Sequence, residues 1–204
     1  MTSRRTFIKG AGSIVLYFNM APMTAMAQQG TKSELPRSLA ANPDLDTWLR
    51  IGADGVVSLS PGKCELGQGV QTALAQIAAD ELDVDIGRVE VMTVDTAHSP
   101  DEAYTSGSRS IEHSGAAVRF AAAEVRSILI ELAAEQLGVR AQTIGVSDGV
   151  FTLGGKPTKL DYWAVAAKLS LSRHASGMAA VKSPEQYEVV GKSTARVDIP
   201  GKAF

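Results

Sequence analysis

The sequence predicts an α+β fold in which helices are layered on a mixed sheet. Three observations predict it. Two Asp-Gly dipeptides, at 54–55 and 148–149, each lie between β-rich runs, the pattern of a tight hairpin. Two segments, beginning at Val70 and near Ser114, repeat apolar residues at helical spacing. Between them "RVEVMTVD", Arg88 to Asp95, alternates in the manner of a half-buried strand.

Taken in order, residues 1–27 stand apart from this domain. They join a basic start, an apolar stretch and a small-residue end at Ala25-Met26-Ala27, the layout of a cleavable export signal with Gln28 as the mature N-terminus. Arg4-Arg5, after Ser3 and before Phe7, Ile8 and Lys9, matches the twin-arginine pattern. The alternative is a membrane anchor, but Asn19 and Pro22 interrupt the apolar run, which falls short of the roughly 20 residues a spanning helix needs. The expected location is the periplasm.

Residues 28–45 are polar, contain Pro36 and Pro43 and show no period, so a linker is expected. The first hairpin covers "TWLRIGADGVVSLS", Thr47 to Ser60. The first helix follows Gly69, with Val70, Ala73, Leu74, Ile77, Ala78 and Leu82 on its core face. A long polar connection, 96–113, leads to the second helix, where Val118, Ala121, Ala122, Val125, Ile128, Leu129 and Leu132 share a face and Gly138 is the natural stop. "TIGVSDGVFTL" reads as another hairpin, and Asp161–Lys168 as a short helix. From Lys182 the chain reads as polar and extended.

The 204 residues carry a formal charge of −2, and removing 1–27 takes three cations and no acid, leaving −5. Nothing in that balance attracts nucleic acid or an anionic membrane. Cys64 is the single cysteine, which excludes an internal disulfide and a cysteine-built metal cluster.

Chemistry is expected at two loops. Gly67-Gln68-Gly69 precedes the first helix, and Thr105-Ser106-Gly107-Ser108-Arg109-Ser110 lies just upstream of the second. Helix starts offer unpaired N–H groups and a partial positive charge, glycines let a ligand approach the backbone, and hydroxyls add neutral donors. Either loop alone is compatible with a plain solvated turn. Their combination suits a phosphorylated cofactor.

"ELGQGVQTALAQIAADELDV", then "VDTAHSPDEAYTSGSRSIEHSGAAVRFAAAEVRSILIELAA", and finally "VVGKSTARVDIPGKAF" resemble, in order, the molybdopterin-binding subunit of the xanthine dehydrogenase and aldehyde oxidase family. The resemblance spans roughly residues 46 to 204 and is greatest to the bacterial branch typified by isoquinoline 1-oxidoreductase. It implies a two-layer helix-on-sheet molybdopterin-binding domain over 46–181, with 182–204 an extended linker toward a hammerhead-like domain outside this chain. It implies molybdenum-molybdopterin as cofactor, in the plain or the cytosine dinucleotide form. Gly67, Gln68 and Gly69 would hold the pterin, Gln68 hydrogen-bonding near the metal's oxygen ligands. Thr105, Ser106, Gly107, Ser108 and Ser110 would cradle the phosphate, while Arg109 would either meet it or be solvated.

The same resemblance implies oxidation of an aldehyde or an aromatic N-heterocycle with water as oxygen source. It implies as partners the remainder of the catalytic subunit, which carries the general base, a 2Fe-2S small subunit and, given the export signal, a c-type cytochrome. The 204-residue chain is then expected to be inactive by itself. The competing reading is an exported, non-catalytic module that binds a partner chain and keeps the loops without the cofactor. His98, His113 and His174 have no ligand-set spacing and read as surface or local hydrogen-bonding residues, and Cys64 as a small buried filler, the alternative being that it faces the cofactor pocket.

Overall fold

A computed structural model describes residues 33–200 apart from Lys168. The expected signal sequence, its twin arginines and its cleavage site lie outside the described residues. The elements run α1 (Arg37–Ala41), α2 (Leu45–Trp48), β1 (Leu49–Ile51), β2 (Val57–Leu59), α3 (Val70–Leu82), β3 (Val89–Val91), α4 (Ala116–Leu137), β4 (Ile144–Ser147), β5 (Val150–Leu153), β6 (Lys156–Asp161) and α5 (Tyr162–Ala166).

The α+β class and the mixed sheet expected from the sequence are present. β1 pairs antiparallel with β2, placing Leu49 opposite Leu59, and β2 pairs parallel with β3, placing Val57 opposite Val89. The strands form two small sheets rather than one, the second being the antiparallel meander β4-β5-β6. Its first turn uses Asp148 and Gly149, both with positive φ (47° and 75°), as a tight hairpin requires. Its second turn, Gly154-Gly155, introduces β6, a strand that sequence pattern does not reveal because "KPTKLD" exposes both of its faces and shows no alternation.

Helices α3 and α4 pack on one another, and both enter a single core with Trp48, Leu49, Val57, Leu59, Phe151 and Tyr162. Alanines dominate the contact: Ala75, Ala78 and Ala79 on α3 and Ala117, Ala121 and Ala122 on α4 are all buried. Small side chains let helix backbones approach closely without losing dense packing. Both helices end in a left-handed residue, Asp83 (φ 54°) for α3 and Gly138 (φ 65°) for α4, whose N–H groups close the last carbonyls.

Two expectations need correction. The described part of the expected linker, 33–45, is structured: α1 carries the fully buried Leu39, and the Trp48 indole donates to the Asn42 carbonyl at 2.8 Å. A five-residue segment hid this, because it is too short to show a period. The second helix begins with a π-turn, Ile111–Gly115, before α4 proper. The segment from Lys182 has no regular structure beyond one 3₁₀ turn at Pro184–Gln186 among the described residues. It lies across α3, as described below.

Candidate functional site

The first predicted loop is built by its own polar side chains. Gly67 and Gly69 take positive φ (101° and 80°), and Gly69 is the N-cap of α3. A side chain on Gly67 would meet nothing within 4 Å, so the left-handed backbone, not crowding, calls for glycine there. The Gln68 amide folds back on the loop. Its Oε1 accepts the Leu66 N–H and its Nε2 donates to the Cys64 carbonyl at 2.9 Å. One amide N–H and one oxygen lone pair then remain without a partner among the described residues.

Glu65, which sequence pattern did not single out, occupies the start of α3. Its Oε1 accepts the N–H of Gly67 (2.8 Å) and of Gly69 (2.9 Å), and its Oε2 that of Gln71 (3.2 Å). Burial, the largest influence, pushes its pKa up, but the donations from Gly69, Gln71 and Gly67 together outweigh it and hold the group below the ordinary carboxylate range. The N-terminus of α3 is therefore already satisfied by a carboxylate. This corrects the expectation that it stands open to a phosphate. The signal was legible: an acid two and four residues before the glycines of a helix start is suitably placed to cap it.

The second predicted loop runs alongside the first. Cys64 donates its backbone N–H to Thr105 Oγ1 at 2.8 Å. Beside it, buried Lys63 donates from Nζ to the carbonyls of Glu102 and Tyr104, and Glu102 Oε2 accepts the Gly62 N–H at 2.9 Å and the Ser114 hydroxyl. Gly107 and Ser108 take consecutive left-handed conformations (φ 67° and 56°), turning the chain toward the π-turn. Ser106 and Ser108 are exposed and Ser110 half-buried, and no hydrogen bond engages these three hydroxyls among the described residues.

The structure thus joins the segment just before Gly67 to the start of the second loop. A groove of about 820 Å³ opens beside this contact, lined among others by Cys64, Leu66, Val94, Thr105 and Ser106, while Gly67, Gln68, Gly69, Ser108 and Ser110 lie outside its lining. Cys64 is exposed there and is not the buried filler expected from its size. Arg109 is exposed beside Gly107 and lines a separate pocket of about 300 Å³ with Arg37, Lys63 and His113. His98 and His174 each pair with one aspartate, Asp95 and Asp44, in keeping with their reading as local hydrogen-bonding residues. Among the described residues no group of three or more His, Cys, Asp or Glu could hold a metal ion, and no helix is long and apolar enough to cross a membrane.

The second residue missed is Arg196. Its Nη1 donates to the Gly67 carbonyl at 2.8 Å and its Nη2 lies 3.4 Å from Glu65 Oε1, while Nε and Nη2 together grip Asp198 at 2.9 and 2.8 Å. No spacing in the sequence could have joined it to a loop 129 residues away.

Comparison with known proteins shows the family of the chain. The model of the molybdopterin cofactor-binding domain family matches residues 3–199. The chain is 30% identical over 202 residues to one of the subunits of nicotinate dehydrogenase from Pseudomonas putida, covering 98% of this chain and 16% of that protein. It is 29% identical over 242 residues to the beta chain of isoquinoline 1-oxidoreductase from Brevundimonas diminuta, covering 98% of this chain and 30% of that one. A reconstituted CO dehydrogenase from Oligotropha carboxidovorans superposes with a TM-score of 0.53 at 28% identity, over 62% of this chain and 17% of that one. The chain therefore spans less than a third of the length of these relatives.

Proposed function

Because the chain belongs to the molybdopterin cofactor-binding domain family, we propose that it supplies one wall of the cofactor cage in a molybdenum hydroxylase, gripping the cofactor between Gly67–Gly69 and Thr105–Ser110. The observation that carries this is the Cys64-to-Thr105 hydrogen bond, which ties the chain just before Gly67–Gly69 to the first residue of the hydroxyl loop. The residues fit such a group. Gly67 leaves open space where a side chain would stand, and the hydroxyls of Ser106, Ser108 and Ser110 have no competing partner among the described residues.

When bound, the cofactor supplies two-electron redox chemistry at molybdenum. This chain's residues bind and orient it. Hydroxyls of Thr105, Ser106, Ser108 and Ser110, with the backbone at Gly107, hold the phosphate, and Gln68 offers its remaining N–H and lone pair to the pterin side. Glu65 keeps the start of α3 closed to a second anion, so the phosphate is confined to the hydroxyl loop.

The remaining assignments extend the same reading. Relatives named for nicotinate and isoquinoline support an aromatic N-heterocycle as substrate, with an aldehyde as the alternative and water as the oxygen source. The general base and the rest of the cage belong to the remainder of the catalytic subunit. A 2Fe-2S small subunit and then a c-type cytochrome take the electrons. The Arg4-Arg5 signal directs the folded, loaded protein to the periplasm, with the cofactor in its plain or its cytosine dinucleotide form.

Metal and pterin analysis of the complete enzyme tests the cage. The Ser106→Ala/Ser108→Ala variant is expected to lose molybdenum with its melting temperature unchanged, since it removes exposed hydroxyls that bond nothing among the described residues. Full molybdenum occupancy in that variant would refute the phosphate assignment. Changing Arg4 and Arg5 to Lys is expected to hold precursor in the cytoplasm, and undiminished periplasmic accumulation would refute the export route.

A further inference from the structure

Segment 182–198 is strapped across α3, anchored at Lys182 by Glu81 and by Arg119 of α4 and along its length by one polar stripe that runs down α3 to its C-cap. Thr72, Gln76, Asp80 and Asp83 recur at about one-turn intervals, and each binds the strap. Lys182 Nζ pairs with Asp83. Asp80, buried, accepts the consecutive N–H groups of Glu188, Val189 and Val190 at 2.8, 3.0 and 2.7 Å. Gln76 Nε2 lies 3.1 Å from the carbonyls of Val189 and Lys192 and from Thr194 Oγ1. Thr72 Oγ1 accepts the Val197 N–H at 3.0 Å. The strap is thereby fixed to within one residue of Arg196.

The turn it reaches has little else to hold it. Leu66 is 72% exposed, Gly67 has open space beside its Cα, and the Glu65 and Gln68 bonds come from within the same loop. Among the described residues, Arg196 is the strap residue hydrogen-bonded to this turn, through the Gly67 carbonyl and the Glu65 carboxylate. Its orientation is set by the bidentate pair with Asp198, whose side chain is 3% exposed. A guanidinium can serve all three groups at once because its N–H donors form a fixed fork, whereas an ammonium is a point charge.

We propose that Arg196 is a positioning residue that clamps the Gly67–Gly69 turn in its cofactor-holding shape, so that seating of the 182–198 strap on α3 sets the geometry of the turn. The proposal rests on the reading of that turn as a cofactor contact. It separates two roles within the strap: Asp80, Gln76 and Thr72 seat it, and Arg196 transmits the seating to the site.

The test uses Arg196→Gln and Arg196→Lys in the 204-residue chain, with backbone amide exchange followed residue by residue, and the same variants in the complete enzyme, with molybdopterin content measured. The amides of Gly67, Gly69 and Gln71 are expected to exchange about tenfold faster in both variants, with those of α4 unchanged. Cofactor content should fall in both. Unchanged exchange at the turn overturns the clamp, and full protection in Arg196→Lys shows that charge without the fork suffices, which overturns it equally. Should Arg196→Gln loosen α4 as well, Arg196→Lys, which keeps the charge, decides. Faster exchange at the turn with full cofactor content upholds the clamp and overturns instead the cofactor reading of the turn.

Discussion

Glu65 accepts the backbone N–H of Gly69, the N-cap residue of α3, at 2.9 Å, so a carboxylate of the chain itself fills the place at a helix start that an external anion could have taken. Two adjacent anions at one helix terminus would repel each other, while the dipole there favours a single one by only about 0.3–1 kcal/mol. On the function proposed above, the cofactor's phosphate would go to the hydroxyl loop, and the Gly67–Gly69 turn would meet an uncharged part of the group. Thr105 joins the two halves of this arrangement.

Glu65→Gln is expected to destabilise the chain by about 1–3 kcal/mol at neutral pH, because one carboxylate oxygen that served two N–H groups becomes part of a neutral amide. The pH dependence has a definite sign. A folded pKa held below the unfolded one gives stability that is fully present above the unfolded value, about 4.3 for glutamate, and is lost as pH falls through the folded one. Denaturant titrations of both proteins check this. The gap between them should narrow below that pH and close in stronger acid; a gap that stayed constant would mean that Glu65 acts by shape rather than charge.

Thr105→Val removes the hydroxyl that joins the loops while nearly preserving volume. The Cys64 N–H loses its partner, at a cost of about 1 kcal/mol. Because Cys64 is exposed, water can replace part of the bond, so the larger effect is expected on geometry. Thiol-reactive labelling of Cys64 in the 204-residue chain should change rate in Thr105→Val, and cofactor content of the complete enzyme should fall. Identical labelling and content would show that the loops keep their relation without this bond.

Which parts were legible follows from the range of each interaction. α3, α4 and the Asp148-Gly149 hairpin announce themselves because their signals are local: apolar residues three and four apart, and a dipeptide that accepts positive φ. Both loops were legible for the same reason, being glycine and hydroxyl runs at helix starts. The strap was not. Thr72, Gln76 and Asp80 look like the solvated face of an amphipathic helix, and only the return of residues 182–198 makes them a binding stripe. Asp80 was invisible as an interior group because the backbone N–H groups that it accepts lie more than 100 residues away, which leave no mark in side-chain pattern.

Asp80→Ala is expected to release the strap. Three N–H groups lose their acceptor together, a cost on the order of 2 kcal/mol. The loss falls on a segment without regular structure beyond one short 3₁₀ turn at Pro184–Gln186, so local opening should exceed global unfolding. Limited proteolysis followed by mass spectrometry is the measurement. Cuts between residues 182 and 198 should appear well before any cut in α4; simultaneous cutting of both would show that the strap is part of one cooperative unit.

The turn that carries the cofactor reading can be tested at Gly67. Its φ of 101° is costly for any residue with a Cβ, so Gly67→Ala is expected to destabilise the 204-residue chain by about 1 kcal/mol through backbone strain alone. No steric cost is added, since a Cβ there has nothing within 4 Å to strike. In the complete enzyme the same methyl group would project into the space assigned to the cofactor. Cofactor content should then fall far more than a loss of stability of about 1 kcal/mol can explain, with Gly155→Ala, a positive-φ glycine (77°) in the β5–β6 turn whose Cβ likewise meets open space, as the control for backbone strain. Equal cofactor content in the two variants would leave strain as the whole effect and return Gly67–Gly69 to the status of an ordinary turn.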